Sequence, residues 1–202
     1  MKTITYAALF LTLVQCGTKH DQIFKNVFPY LITEDYLSDG IQNETIFLDT
    51  LTKGIYLTVV QDLGGLFVQN IKISDLESSG IPFEKIREMA LKNLETSLSE
   101  QNVKMMQFAD GPNDTPFVLV GGHWLASSSI YGEKMFMNLS KVLDNDSLYF
   151  SIPHRDALIV FPKCEEQTLS EFKKMIKEKE SDGRKKLTWQ ILLWTKEGFF
   201  EK

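Results

Sequence analysis

The sequence predicts an α+β fold made mainly of antiparallel sheet, with the helices packed on one face. Segments rich in β-branched and aromatic residues occur in neighbouring pairs along the 202-residue chain, and each pair precedes a segment with apolar residues at helical spacing. Neighbouring strands favour antiparallel hairpins, so this strand-strand-helix order indicates sheets with helices against them. Hydrophobic residues make up 43% of the chain, which is enough for one buried core.

The first strand pair is predicted at residues 55–61 and 66–73. Residues 62–65 between them read Asp-Leu-Gly-Gly and predict a hairpin turn, because glycine adopts positive φ without steric cost. A short strand is expected at residues 46–51. The weak pattern of residues 22–40 is interpreted as one helix that ends before a proline.

Three helices are predicted farther along the chain. The first is predicted to have Pro82 in its first turn, and its apolar stripe lies on one helical face. The members of this stripe are Phe83, Ile86, Ala90, Leu94 and Leu98. The second helix is predicted at residues 127–143. The third begins with a capping box formed by Thr168 and Glu171 and ends before Gly183.

The remaining strands surround these helices. They are predicted at residues 103–108, 116–120, 148–152, 157–161 and 187–194. After the last strand, Phe199 and Phe200 follow Trp194 closely. These aromatic residues indicate either a terminal hairpin that completes the core or an exposed apolar patch.

Composition and motifs exclude several classes of function. The formal net charge is −5 and the basic residues are scattered, so no nucleic-acid partner is predicted. His123 and His154 lack the spacing of a metal site, and neither a metal nor a cofactor is predicted. The serines at 127–129 lack the flanking glycines of a nucleophile elbow and are expected to cap a helix.

The N-terminus has the pattern of an export signal. Lys2 precedes an uncharged, mostly apolar run at residues 4–14, which is too short to span a bilayer. Cys16 stands just after this run, and polar residues follow it. The arrangement resembles a bacterial lipoprotein signal, in which the cysteine is lipidated, although Gln15 replaces the small residue that usually precedes the cysteine.

This resemblance implies the organisation of the whole chain. Residues 1–15 are predicted to be a signal peptide, residues 16–45 a lipidated Cys16 with a tether and an N-terminal extension, and residues 46–202 a single α+β domain. Acyl chains on Cys16 would hold the protein on a membrane of the cell envelope. A cytoplasmic location is the alternative if the export signal is misread.

A second resemblance covers residues 53–194. It depends on a strand ending in Asp62, on Asn93 in the first strong helix, and on Arg155 and Asp156 after Pro153 between two strands. In order and spacing, these features are similar to domain of unknown function 1444, the YtpQ family of uncharacterised bacterial proteins. The resemblance implies no known reaction, and it marks Asp62, Asn93, Arg155 and Asp156 as polar residues of the family pattern.

Candidate site residues allow both functional and structural interpretations. Arg155 could bind an anionic group, with Asp156 orienting it and His154 acting as an acid or base. Equally, Arg155 and Asp156 could form structural contacts at a turn, and Asn93 could fix the packing of two elements.

The sequence supports three hypotheses about function. The leading one is a non-enzymatic lipoprotein that binds an envelope protein or a small ligand. The first alternative is an enzyme that acts on an anionic substrate through Arg155 and Asp156. The second alternative is a partner protein that neutralises a toxin.

Overall fold

The computed structural model describes residues 24–38, 44–64, 67–100, 102–182 and 185–201. Within these ranges the chain forms ten β-strands and five α-helices, and the strands lie in two antiparallel sheets. The predicted α+β fold class is confirmed. The predicted signal peptide, Cys16, the hairpin-turn residue Gly65 and the helix-ending residue Gly183 lie outside the described residues.

The first sheet has four strands, with β3 at its centre. The strands are β1 (Val27–Thr33), β2 (Phe47–Thr52), β3 (Ile55–Gly64) and β4 (Phe67–Asn70). β1 pairs with one edge of β3, while β2 and β4 share the other edge. The predicted hairpin between β3 and β4 is therefore confirmed, since Val60 lies opposite Asn70 and Gln61 opposite Gln69.

Three helices accompany this sheet: α1 (Glu34–Ser38), α2 (Ile73–Ser79) and α3 (Phe83–Ser99). α3 begins directly after Pro82, which is its N-cap residue and lies one position before the helical turn predicted to contain it. Its buried residues Ile86 and Ala90 pack with Val27 and Val59, and Leu94 joins the main core. Helix α3 therefore covers one face of the first sheet and fixes where β1 begins.

The second sheet has six strands, in the order β10-β9-β7-β8-β6-β5. They are β5 (Lys104–Phe108), β6 (Phe117–Gly121), β7 (Leu148–His154), β8 (Ala157–Pro162), β9 (Leu192–Thr195) and β10 (Gly198–Glu201). The last two strands form a terminal hairpin. It buries Trp194, whose ring stacks on Phe136, and leaves Phe199 and Phe200 more exposed.

Both faces of the second sheet are covered, which differs from the predicted packing of helices on one face. Helix α5 (Glu166–Glu180) packs Phe172 against Phe161 on one face. Helix α4 (Met135–Val142) packs Phe136 against Phe150 on the other. The first sheet also contributes Leu31 to this second face, so the main core lies between the two sheets.

The prediction for residues 22–40 is wrong, because the structure places strand β1 there. β1 is buried on both faces, so its sequence is a continuous apolar run without the alternation typical of a half-exposed strand. Pro29 is compatible with this strand because β1 lies at the edge of its sheet. The folded domain therefore includes residues from Phe24 onward, and the predicted boundary at residue 46 falls too late.

Other predicted helix ends also need correction. Helix α5 begins at Glu166, so Thr168 lies inside its first turn, where its Oγ1 accepts a hydrogen bond from Asn113 Nδ2. The helix predicted at 127–143 is divided into a 3₁₀ helix, Ser127–Tyr131, and α4. Gly132 separates them, and a Cβ there would lie 2.7 Å from Leu98 Cδ1 on α3. The close approach of α3 thus favours glycine at this position, and the extended backbone of Gly132 ends the 3₁₀ helix.

Candidate functional site

A cavity of about 250 Å³ lies where the first sheet, α3 and the loop after β6 meet. We call it the His123 cleft. Its lining residues are Lys25, Asn26, Phe28, Asp62, Asn93, Thr96, Ser97, Glu100, Asn102, His123, Trp124 and Leu125. Two of the polar residues marked by the family resemblance, Asp62 and Asn93, therefore lie in one concavity with a histidine and a tryptophan.

Asp62 and Asn93 both have structural contacts in this cleft. Asp62 Oδ1 accepts a hydrogen bond from the Gly64 N–H at 2.7 Å, which holds the irregular end of β3 between these two residues. Asn93 Nδ2 donates to the carbonyl oxygens of Lys25 (3.3 Å) and Val27 (2.9 Å). The interpretation of Asn93 as a residue that joins two elements is therefore the one that its contacts favour.

His123 supplies a hydrogen-bond donor to the cleft. Its Nδ1 accepts a hydrogen bond from the Leu125 N–H at 3.2 Å, so the neutral ring carries its proton on Nε2. Burial lowers the pKa of His123 below its ordinary value, and the charges of Asp62 and Asp156 oppose that lowering. The ring is therefore neutral at pH 7, with an Nε2–H group available to donate.

Trp124 and Phe28 form the apolar wall of the cleft. The Trp124 ring stacks on His123 with centroids 5.5 Å apart, and it meets Phe28 edge-on at 5.6 Å. It also contacts Tyr30 at 5.9 Å. These ring contacts hold Trp124 in one orientation, so the cleft offers a fixed flat surface beside its polar groups.

The three candidate residues of the β7–β8 turn point in different directions. His154 Nε2 lies 2.8 Å from Glu180 Oε2 at the end of α5. Arg155 is directed toward the first sheet, and Asp156 is exposed. Alternation along the hairpin places His154 and Arg155 on opposite sides, so these side chains do not converge on one pocket.

Arg155 links the two sheets. It is 8% exposed, and its Nε donates to the carbonyl oxygen of Leu31 on β1 at 3.1 Å. Its guanidinium carbon lies 4.6 Å from the Tyr30 ring centroid and 5.3 Å from that of Tyr36. Burial raises the pKa of Tyr30, and the Arg155 charge opposes that rise. The guanidinium is thus held by a backbone oxygen and two aromatic rings.

The serines at 127–129 are buried and do not cap a helix. Ser129 Oγ donates to the Ala126 carbonyl, while Ser127 Oγ and Ser128 Oγ have no hydrogen-bond partner among the described residues. Such buried hydroxyls cannot meet a substrate from solvent. In the same described ranges no group of three or more His, Cys, Asp or Glu side chains could hold a metal ion, and no helix is long and apolar enough to cross a membrane.

Sequence reasoning missed the contribution of Lys25, Phe28 and Trp124 to the cleft. The sequence predicts Lys25 and Phe28 as part of a helix, and no motif marks Trp124 as a site residue. Gly122 was a usable signal, since its φ of +77° turns the chain away from β6 and directs His123 and Trp124 toward the first sheet.

No protein-family model, curated protein or solved structure matches the chain. The similarity to the YtpQ family therefore stays a prediction based on the order and spacing of the residues that carry it.

Proposed function

We propose that the protein is a non-enzymatic binding module of the bacterial cell envelope, anchored by lipid on Cys16, and that it holds a small ligand in the His123 cleft. The observation that carries this proposal is the distribution of the polar candidates. Asp62, Asn93 and His123 meet in one cleft, whereas His154 and Arg155 diverge into structural contacts. This arrangement favours binding over the alternative of an enzyme that uses Arg155 and Asp156.

The chemistry of the cleft favours a ligand with both donors and acceptors. The His123 Nε2–H group can donate a hydrogen bond to a ligand, and the carboxylates of Asp62 and Glu100 can accept hydrogen bonds from it. Trp124 and Phe28 add an apolar surface of the kind that orients small ligands. A short peptide or an amino acid combines these features, and we infer this class of ligand.

Binding can be followed through the indole N–H signals of the three tryptophans in ¹H–¹⁵N NMR spectra. On titration with glycyl dipeptides of differing side chains, we expect the Trp124 signal to shift while those of Trp189 and Trp194 stay in place. Asp62→Asn should weaken binding about tenfold, because asparagine retains an acceptor for the Gly64 N–H and removes only the charge.

Asp182→Asn is the matched control for this titration, because it removes an exposed carboxylate outside the cleft. It should bind as the unmodified chain does. A Trp124 signal that no dipeptide shifts, or equal weakening by both substitutions, would exclude a peptide ligand in the His123 cleft.

The anchor is tested separately by intact and peptide mass spectrometry of protein from native membranes. We expect Cys16 to be the N-terminal residue and to carry acyl chains. Cys16→Ala should release the protein from membranes, because several acyl chains each contribute roughly 0.8 kcal/mol per buried CH₂ group. Recovery of an unmodified Cys16 still joined to residues 1–15 would contradict envelope anchoring and leave the cleft proposal standing.

A further inference from the structure

Strand β5 forms an exposed edge of the six-stranded sheet. All five of its residues are exposed, and it pairs with β6 on one side in an uninterrupted register. No strand among the described residues pairs with its other side. Half of its backbone N–H and C=O groups are therefore directed away from the sheet.

Large apolar side chains lie on both faces of this edge. Met105, Met106 and Phe108 are 50%, 41% and 41% exposed. Phe108 stacks on Phe117 with centroids 4.7 Å apart, beside an apolar cavity of about 270 Å³ between this edge and α5. The edge thus combines backbone N–H and C=O groups that no described strand pairs with and an exposed apolar surface.

Apart from one lysine, this edge lacks the devices that usually prevent strand pairing. β5 contains no proline and no bulge, and Lys104 is its only charged residue. A regular, apolar edge of this kind accepts a further strand, since the added strand supplies the missing hydrogen bonds and covers the side chains.

We propose that β5 pairs antiparallel with β5 of a second copy of the chain, around a two-fold axis at Met106. The register makes the strand self-complementary. Lys104 then lies opposite Phe108 of the other copy, and Met105 lies opposite Gln107. Asp110 lies two residues beyond Phe108, past the bend at Ala109, where the long Lys104 side chain of the other copy can reach its opposite charge.

Other registers of this strand are less favourable. An axis at Lys104 would bring two lysines face to face, which destabilises a strand pair. An axis at Phe108 would pair only Phe108 and leave the other four residues of β5 without partners in the opposite strand. The register centred on Met106 pairs all five residues and opposes no like charges.

The pairing covers one short strand on each copy. Such a contact buries less than the roughly 1,000 Å² typical of stable interfaces. We therefore expect a reversible dimer with a dissociation constant on the order of 10–100 μM.

Cysteine cross-linking tests the register in the complete chain carrying Cys16→Ala, which leaves Cys164 as the background thiol. Directly opposite residues have Cα atoms about 4.5–5.5 Å apart, within the range that a disulfide bridges. Met106→Cys should give a covalent dimer under mild oxidation. Phe200→Cys is the matched control, because Phe200 is 47% exposed on the opposite edge strand. Cross-linking of Met106→Cys no faster than the control or the background would overturn the proposal.

Sedimentation equilibrium tests the charge pairing. Lys104→Glu should weaken the dimer at least tenfold, because the introduced carboxylate then lies near Asp110 of the other copy and repels it. Combining it with Asp110→Lys should restore the dimer, because the positive and negative charges have then exchanged positions and attract each other again. A chain that is monomeric at all concentrations up to about 500 μM, or an exchange that does not restore association, would rule out a second copy as the occupant of this edge.

Discussion

Replacing Phe172 by alanine is expected to lower the free energy of unfolding by about 3–5 kcal/mol, the range for a fully buried phenylalanine. Phe172 is 0% exposed and stacks on Phe161 with centroids 3.8 Å apart. It also meets Phe117 edge-on at 6.1 Å. Its loss leaves a cavity under α5, where the helix meets the outer face of the six-stranded sheet. Urea unfolding monitored by circular dichroism measures the change.

Phe67→Ala is the matched control for this experiment, because the same atoms are removed from a side chain that is 72% exposed. It should change the free energy of unfolding by less than about 1 kcal/mol. A loss of similar size in both variants would show that Phe172 does not anchor α5 to the sheet.

Replacing Arg155 by alanine is expected to cost about 2–4 kcal/mol of folding free energy. The change removes the hydrogen bond to the Leu31 carbonyl oxygen, which is then left buried without this donor. It also removes the contacts of the guanidinium with Tyr30 and Tyr36. Because these contacts join the β7–β8 turn to β1, the first sheet should become less stable relative to the second.

Two further variants complete this test. One separates charge from shape at position 155, and the other is a control at a different arginine. Arg155→Lys retains the charge and lacks the planar fork, so we expect it to recover less than half of the loss. Arg87→Ala removes a more exposed arginine of α3 and should be nearly neutral. An Arg155→Ala variant that unfolds at the same urea concentration as the unmodified chain would contradict a structural role for Arg155.

The regular strands and the amphipathic helices of this fold are predictable from sequence because their patterns are local. Pro82 and the stripe containing Ile86 and Leu94 predict helix α3, with a start one residue from the observed one. β1 was missed because burial on both faces removes the alternation that identifies a strand. The capping prediction at Thr168 failed because Glu165 and Glu166 already begin the helix, and the hydroxyl of Thr168 is taken by Asn113.

The candidate site was predictable only in part. Asp62, Asn93 and His123 could be singled out as polar residues among apolar segments, but their meeting depends on contacts between distant parts of the chain. The same limit applies to Arg155, which bonds to a residue 124 positions earlier. No periodicity or motif indicates that such a pair will be in contact.

If Cys16 carries the proposed lipid anchor, the early start of β1 sets how far the domain can stand from the membrane. Phe24 is already buried, and it lies only eight positions after Cys16, with seven residues between them. Even at full extension, eight residues span at most about 29 Å. With Cys16 held in the outer surface of a bilayer, the opening of the His123 cleft beside Lys25 therefore remains close to the lipid headgroups. A ligand of the proposed binding module would then have to arrive at that surface, because the anchored domain could not reach farther from the membrane.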